Sequence, residues 1–356
     1  VVLVFCLIFV GGLVTSWQAG MAVPDWPLSF GSLNPEGWWA NFPVRLEHGH
    51  RLLAAGVGVV IGVLCAGVWG NYRALGVAFN VSVVASALGG MFGAPAWLRA
   101  HLGIWPAAAS FLVCLGAMGS RRSVVGMTER RLAVAAFVLV CAQATLGGLR
   151  VTRETAGAVD VAVVLRIVHG CVAQAFLVVL VALTVRLGLL LHRNEAAVET
   201  TPSGSRTWAW VALAAVYLQL VLGATMRHLG AGLAIPTFPA ANPEGGWMPK
   251  VHNLYTDLNF THTRAGALCV VLLVAVAVWR NFRTAPPRAS IRGGALLCGV
   301  LVLLQASLGI LVVLHQKPKT LATLHVVLGA GLLASLAALL VRLYPAPSAT
   351  NAGGVE

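Results

Sequence analysis

Apolar runs long enough to cross a bilayer follow one another along nearly the whole of this chain, and they constrain its fold more than any single motif. Crossing hydrocarbon takes about 20 apolar residues in a helix. Ten candidate runs lie at about 1–16, 47–70, 74–94, 101–119, 131–150, 160–191, 207–226, 258–279, 291–314 and 319–343, of which the third and fourth are weakest. With 58% hydrophobic and 10% charged residues among 356, the composition is far from that of a soluble domain. Within hydrocarbon a helix satisfies its own backbone donors and acceptors, so the expected class is an all-α membrane protein.

A net charge of +13 could suggest nucleic acid, but the basic residues cluster in short connections between spans. Arg73, Arg121, Arg122, Arg130, Arg131, Arg186, Arg193, Arg206, Arg280, Arg283, Arg288, Arg292 and Arg342 fall at one set of helix ends. The positive-inside rule assigns those ends to the cytoplasm, and the long Trp- and Pro-rich loops 17–46 and 227–257 then face outward. All seven cysteines lie within apolar spans, where they read as small packing residues; no disulfide or zinc framework is implied.

The chain repeats itself. Gly20-Met-Ala-Val-Pro-Asp-Trp-Pro27 returns as Gly232-Leu-Ala-Ile-Pro-Thr-Phe-Pro239, an offset of 212 residues that also carries His50 onto His262. Gln143-Ala-Thr-Leu-Gly147 returns as Gln305-Ala-Ser-Leu-Gly309 at 162, and His169 corresponds to His325 at 156. This is the signature of a duplicated four-helix unit. The fall in offset locates an insertion of about 50 residues in the first half, read as two extra spans, with a cytoplasmic or re-entrant segment as the competing reading because Gly89, Gly90, Gly93, Pro95 and Pro106 interrupt it. The first span is no cleaved signal, since it lacks a small-residue cleavage site and its continuation returns in the repeat. Its counterpart starts near Arg206, so the natural N-terminus is expected to precede Val1. The expected domains are an N-terminal bundle at 1–191 with an insertion at 71–127, a cytoplasmic linker at 192–206, a C-terminal bundle at 207–343 and a disordered tail at 344–356.

The repeat places His50, His169, His262 and His325 in pairs near the outer ends of the second and fourth helices of each unit, which enter from the same side and lie diagonally in a bundle. A lone membrane histidine needs only a hydrogen-bonding neighbour. Four, paired by a duplication, point to bis-imidazole ligation of two heme irons; zinc fits less well, because no cysteine or carboxylate cluster completes a tetrahedral set. Heme propionates need cationic partners, and Arg51, Arg150, Arg166, Arg227 and Arg264 flank these places, with a snorkelling interfacial role as the alternative. Glu47 precedes His50 by about one helical turn, whereas the same place in the second half is Asn259. Beside a heme such a carboxylate can move protons; at a span edge it can also be merely solvated. Only the first half looks equipped for chemistry.

His48, about 100° around the helix from Glu47, is read as ordinary, as are His101, His192, His228, His252 and His315. Trp17, Trp26, Trp38, Trp39 and Trp247 suit interfacial anchors, some of them potential covers for a heme edge. Gln143 and Gln305 open matching Gly-containing stretches, for close helix packing or a polar contact to heme.

Glu47-His48-Gly49-His50-Arg51, the Gly-Gly-Leu-Val-Thr stretch at 11–15, the Gln143 to Arg150 segment and the recurring histidines together resemble the heme A synthase family over most of the chain outside 71–127. The resemblance implies an eight-helix enzyme of two pseudo-symmetric bundles that oxidises the C8 methyl of heme O to the formyl of heme A for terminal oxidases. It implies that His50 and His169 bind the substrate heme and that His262 and His325 hold a heme b cofactor. It also implies that Glu47 handles protons during successive hydroxylation of one methyl and dehydration of the gem-diol. Implied partners are a heme O synthase that delivers substrate and an electron donor the sequence does not identify, with a homo-oligomer left open. The implied location is the cell's inner membrane, heme sites toward the extracytoplasmic side. Two departures stand out: loop 17–46 lacks the cysteine pair some members carry, and the second half reads His262-Thr263-Arg264 where the first reads His50-Arg51. A non-catalytic diheme b-type cytochrome and a heme-handling assembly factor are the competing functions.

Overall fold

A computed structural model describes residues 1–69, 125–191, 203–283 and 289–344. Among them are eight helices: α1 (Val2–Ser16), α2 (Phe42–Trp69), α3 (Met127–Thr155), α4 (Val159–Leu191), α5 (Ser203–His228), α6 (Leu254–Phe282), α7 (Ala289–Leu314) and α8 (Lys319–Arg342). The described residues form no strand beyond one isolated bridge, Ser29 to Ser32. Seven of the helices are long and apolar enough to cross a membrane, and α1 is a shorter apolar helix of 15 residues. The chain is therefore an all-α, multi-pass membrane protein. The weak candidate spans at 74–94 and 101–119, and most of the expected insertion, lie outside the described residues.

Three helices run further than the hydropathy pattern marks. α2 begins at Phe42 and α6 at Leu254, and α3 continues to Thr155. The polar residues read as span edges therefore lie inside helices, with their backbone groups already satisfied. At α6 the start is set by Asn253, whose side chain accepts from the backbone N–H groups of Tyr255 and Thr256 at 3.0 Å each while Thr256 answers Asn253, a capping box.

Contacts divide the described chain within α4, giving one unit of Val2–Leu165 and another of Arg166–Ala346. In the first, α2 packs against both α1 and α3. In the second, α5 packs on α6, α6 on α7, α7 on α8 and α8 back on α5, closing a four-helix ring in which α6 and α8 are diagonal. α8 is its innermost helix: half of its most apolar window is buried, against 17% for α7. Leu332, Leu333, Leu336, Leu339 and Leu340 form its buried face. α7 turns into α8 through Gln316 and Lys317, both left-handed at φ 57° and 61°. That conformation is unfavourable for side-chain-bearing residues, and it is held by Lys317 N–H donating to the Val312 carbonyl at 2.7 Å ahead of Pro318.

Candidate functional site

Helix α6 carries His262 and α8 carries His325, and the diagonal places the two rings face to edge, 6.4 Å between centres with planes at 87°. Two metal–nitrogen bonds of about 2 Å, with each nitrogen roughly 1 Å from its ring centre, separate two imidazoles by roughly 6 Å. The pair stands at about that spacing. Each ring packs onto a glycine of a neighbouring helix. A Cβ at Gly223 on α5 would lie 2.7 Å from His262 Cε1, and one at Gly309 on α7 would lie 2.9 Å from His325 Cε1. The missing side chains let both imidazoles lie against the backbone of the facing helix, near the carbonyls of Gln219 and Gln305 one turn earlier. An iron-binding histidine usually turns its second nitrogen toward such an acceptor. In this structure neither Nδ1 completes a hydrogen bond.

Between the capped start of α6 and its long apolar stretch lies one π-turn, Thr261–Gly266, which contains His262. The extra residue explains a mismatch in the sequence. Arg264, one place later than Arg51 by the repeat, reaches the equivalent loop: it donates to the carbonyls of Thr237 and Ala240 at 2.7 Å each and of Pro239 at 3.2 Å. Arg51 donates to the carbonyls of Asp25 at 2.6 Å, Leu28 at 2.9 Å and Val23 at 2.8 Å. Thr237 and Ala240 stand 212 residues after Asp25 and Leu28. The two arginines thus fasten matching loops, a task the sequence did not reveal, because it cannot tell where a long side chain ends.

In the first unit, His50 on α2 packs on Gly11 of α1 in the same manner, with 3.1 Å from a Cβ there to His50 Cε1. Next to it the two units part. Glu47 is 2% exposed; its Oε1 accepts from Arg51 Nε at 3.2 Å and Arg150 Nη2 at 3.3 Å, while Oε2 is buried without a hydrogen-bond partner. The Arg150 guanidinium lies against Gly20, where a Cβ would overlap it. Trp26 lies equally close over Gly148 on α3. At the matching place in the second unit, Asn259 is fully buried and donates to the carbonyls of Ala231 and Gly232 at 2.9 and 3.1 Å. One polar position is a charged cluster with an oxygen to spare. The other is a closed amide contact.

His48, read from sequence as ordinary, is buried: its Nδ1 lies 2.8 Å from Ser29 Oγ, and its ring meets Trp38 edge-on at 4.7 Å. Its counterpart is Phe260, set edge-on against Trp247 at 6.3 Å. His252 pairs with Asp257 at 2.9 Å on the surface, and His315 is exposed. Helical phase placed His48 off the Glu47 face, but nothing in the sequence says that loop residues Ser29 and Trp38 fold over it. Trp39 and Trp247 are substantially exposed, as interfacial anchors would be, whereas Trp26 and Trp38 cover helix residues. His169 lies on α4 within the Arg166–Ala346 unit. His101 and His192 lie outside the described residues.

Comparison with known proteins bears on the same residues. The chain is 26% identical to a heme A synthase of Bradyrhizobium over 91% of its own length and 83% of that protein's. To a heme A synthase of Symbiobacterium thermophilum it is 31% identical, over 51% of this chain and 57% of the relative. A heme A synthase of Erythrobacter litoralis matches at 24% over 94% and 92%. Residues 1–337, which contain the four paired histidines, Glu47, Arg51, Arg150 and Arg264, match one family throughout, and the chain belongs to the cytochrome oxidase assembly protein family (COX15-CtaA).

Proposed function

We propose that this protein is a heme A synthase, which oxidises the C8 methyl group of heme O to the formyl group of heme A for terminal oxidase assembly. The observation that carries this reading is the Glu47 carboxylate: buried beside His50, pinned through one oxygen by two arginines, and with its second oxygen uncommitted. As a half-reaction, R–CH3 + H2O → R–CHO + 4 H+ + 4 e−, the conversion gives up protons along with electrons that an external acceptor must take, and a base held next to the reacting edge serves the proton part of that step. Electron transfer alone needs no such group. The relatives' names support the same assignment.

In this reading the chain is a duplicated four-helix unit with its insertion at 71–127. Support comes from matching details at an offset of 212, short 3-10 turns at Ala19–Met21 and Ala231–Leu233 and glycines under His50 and His262, and from the two loop-fastening arginines one place beyond that offset. The second unit, whose imidazoles stand at the spacing a shared iron requires, would hold heme b through His262 and His325; that heme supplies one-electron transfer when bound. His50 and His169 are the substrate's ligands, the latter by its correspondence to His325. Arg150, already turned toward the site by Glu47, is the first candidate for a substrate propionate. Arg51, through the bonds above, and Arg264, which also donates to the Thr263 hydroxyl at 2.8 Å, each use four of five guanidinium N–H groups and retain one for such a contact. Basic connections on one side support a reading in which both sites face the extracytoplasmic side of the cell's inner membrane, where a heme O synthase would deliver the substrate.

The test is to express the chain with a source of heme O, extract the hemes and identify them by chromatography. Heme A is expected; a membrane that accumulates the protein with bound heme b yet yields only heme O would refute the assignment.

A further inference from the structure

The π-turn in α6 has no equivalent in α2, where Arg51 follows His50 directly in continuous α-helix. A π-turn accommodates one extra residue by widening the helix, and it leaves a carbonyl without its usual partner one turn on. Here the carbonyl of His262 finds a donor on a different helix: Gln219 Nε2 on α5, at 2.6 Å. The same amide occupies the space above Gly266, where a Cβ would overlap Gln219 Oε1 and the Thr261 carbonyl oxygen. Widened turn, inserted amide and bare glycine form one device, and the first unit lacks every part of it. Gln219 corresponds to Leu7 at the 212 offset, and once the extra residue is counted Gly266 corresponds to Leu53.

The geometry points to Gln219 and Gly266 as positioning residues of the second site: the amide, seated over the glycine, holds the π-turn open, and the turn sets the ring direction of His262 and the reach of Arg264 together. Closing the turn would rotate everything after His262 by about one residue, roughly 100°, and take Arg264 away from the Thr237, Pro239 and Ala240 carbonyls. Without the amide, the half-buried carbonyl of His262 would lose this donor. This rests on the reading of His262 and His325 as heme b ligands, and it adds that one site needs a brace the other does without.

The experiment uses the full chain purified with its bound heme b and three variants, reading the visible spectrum, the midpoint potential and the rate of heme transfer to an excess of apomyoglobin. His262→Ala tests the underlying reading; an unaltered spectrum there would remove the site itself. Gln219→Leu, which copies the first unit, is expected to keep a heme spectrum but to release heme roughly tenfold faster with a shifted potential. Deleting Thr263 in the Gln219→Leu background removes the extra residue and restores the pattern of α2, and it is expected to bring release and potential back toward the parent. Parent-like release from Gln219→Leu overturns the proposal, and so does a double variant no better than the single. If Gln219→Leu fails to accumulate in membranes, accumulation of the double variant supports the brace and its absence overturns it.

Discussion

Set at the same offset, the surroundings of His50 and His262 share a framework and differ in one patch. Both rings rest on a glycine of the preceding helix, and both helices send an arginine back into the loop that precedes them. Where they differ, Glu47 and His48 stand against Asn259 and Phe260, and Arg150 on α3 stands against Val312 on α7. Asn259 ends its hydrogen bonding inside the protein, on two backbone carbonyls. Glu47 does not: burying a carboxylate is unfavourable unless it is paired, and the two arginines satisfy only one of its oxygens. At this one position the second unit closes its polar contact, and the first leaves a carboxylate oxygen unclosed.

The comparison can be broken in several places, and the largest effect is expected at the ligands. His325→Ala should lose the low-spin heme b spectrum of the purified protein altogether, and a retained spectrum would remove the second site from the account. Next comes Gly223→Val: its branched side chain would occupy the position of the His262 ring, and overpacking of this kind costs about 1–3 kcal/mol, so heme binding should weaken by roughly tenfold or more. Gly11→Ala, where the spacing is 3.1 Å rather than 2.7 Å, should do less to the first site; an equal effect would mean the two rings are not held alike. Arg150→Gln removes one of two cations from Glu47 and should lower heme A formation by about tenfold, with the heme b spectrum unmoved. Smallest of all, Lys250→Ala breaks only the exposed Lys250–Glu244 pair in the outer loop and should change thermal stability by less than about 0.5 kcal/mol; a larger loss would assign that loop a structural role it lacks here.

Much of this was legible in the residues themselves. Hydropathy marked every long described helix, and the repeat paired the histidines and isolated Glu47 against Asn259 before any geometry. What stayed hidden was set by tertiary contact. A three-residue reading of His262-Thr263-Arg264 looks like a departure from His50-Arg51 until a π-turn absorbs the extra residue. Arg51 and Arg264 looked like propionate partners because their side chains are long and cationic, and only the fold shows that loop carbonyls take most of their donors. His48 looked unremarkable because burial by Ser29 and Trp38 depends on how loop 17–46 folds back, which no periodicity encodes. The start of helices α2 and α6 was missed because their first turns mix apolar residues with Arg45 and Asp257 and so carry no sustained hydropathy signal.

The central claim is that the Glu47 half reacts and the Asn259 half relays, and heme composition in a Glu47→Gln variant tests it most directly. The amide keeps the shape of the side chain while removing its charge and its capacity to take a proton. Expressed with a heme O source and purified, the variant should retain heme b with an unchanged spectrum and contain heme O with heme A reduced by about a hundredfold or more. Heme A at the parent's level, with Glu47→Gln confirmed in the protein, would contradict it.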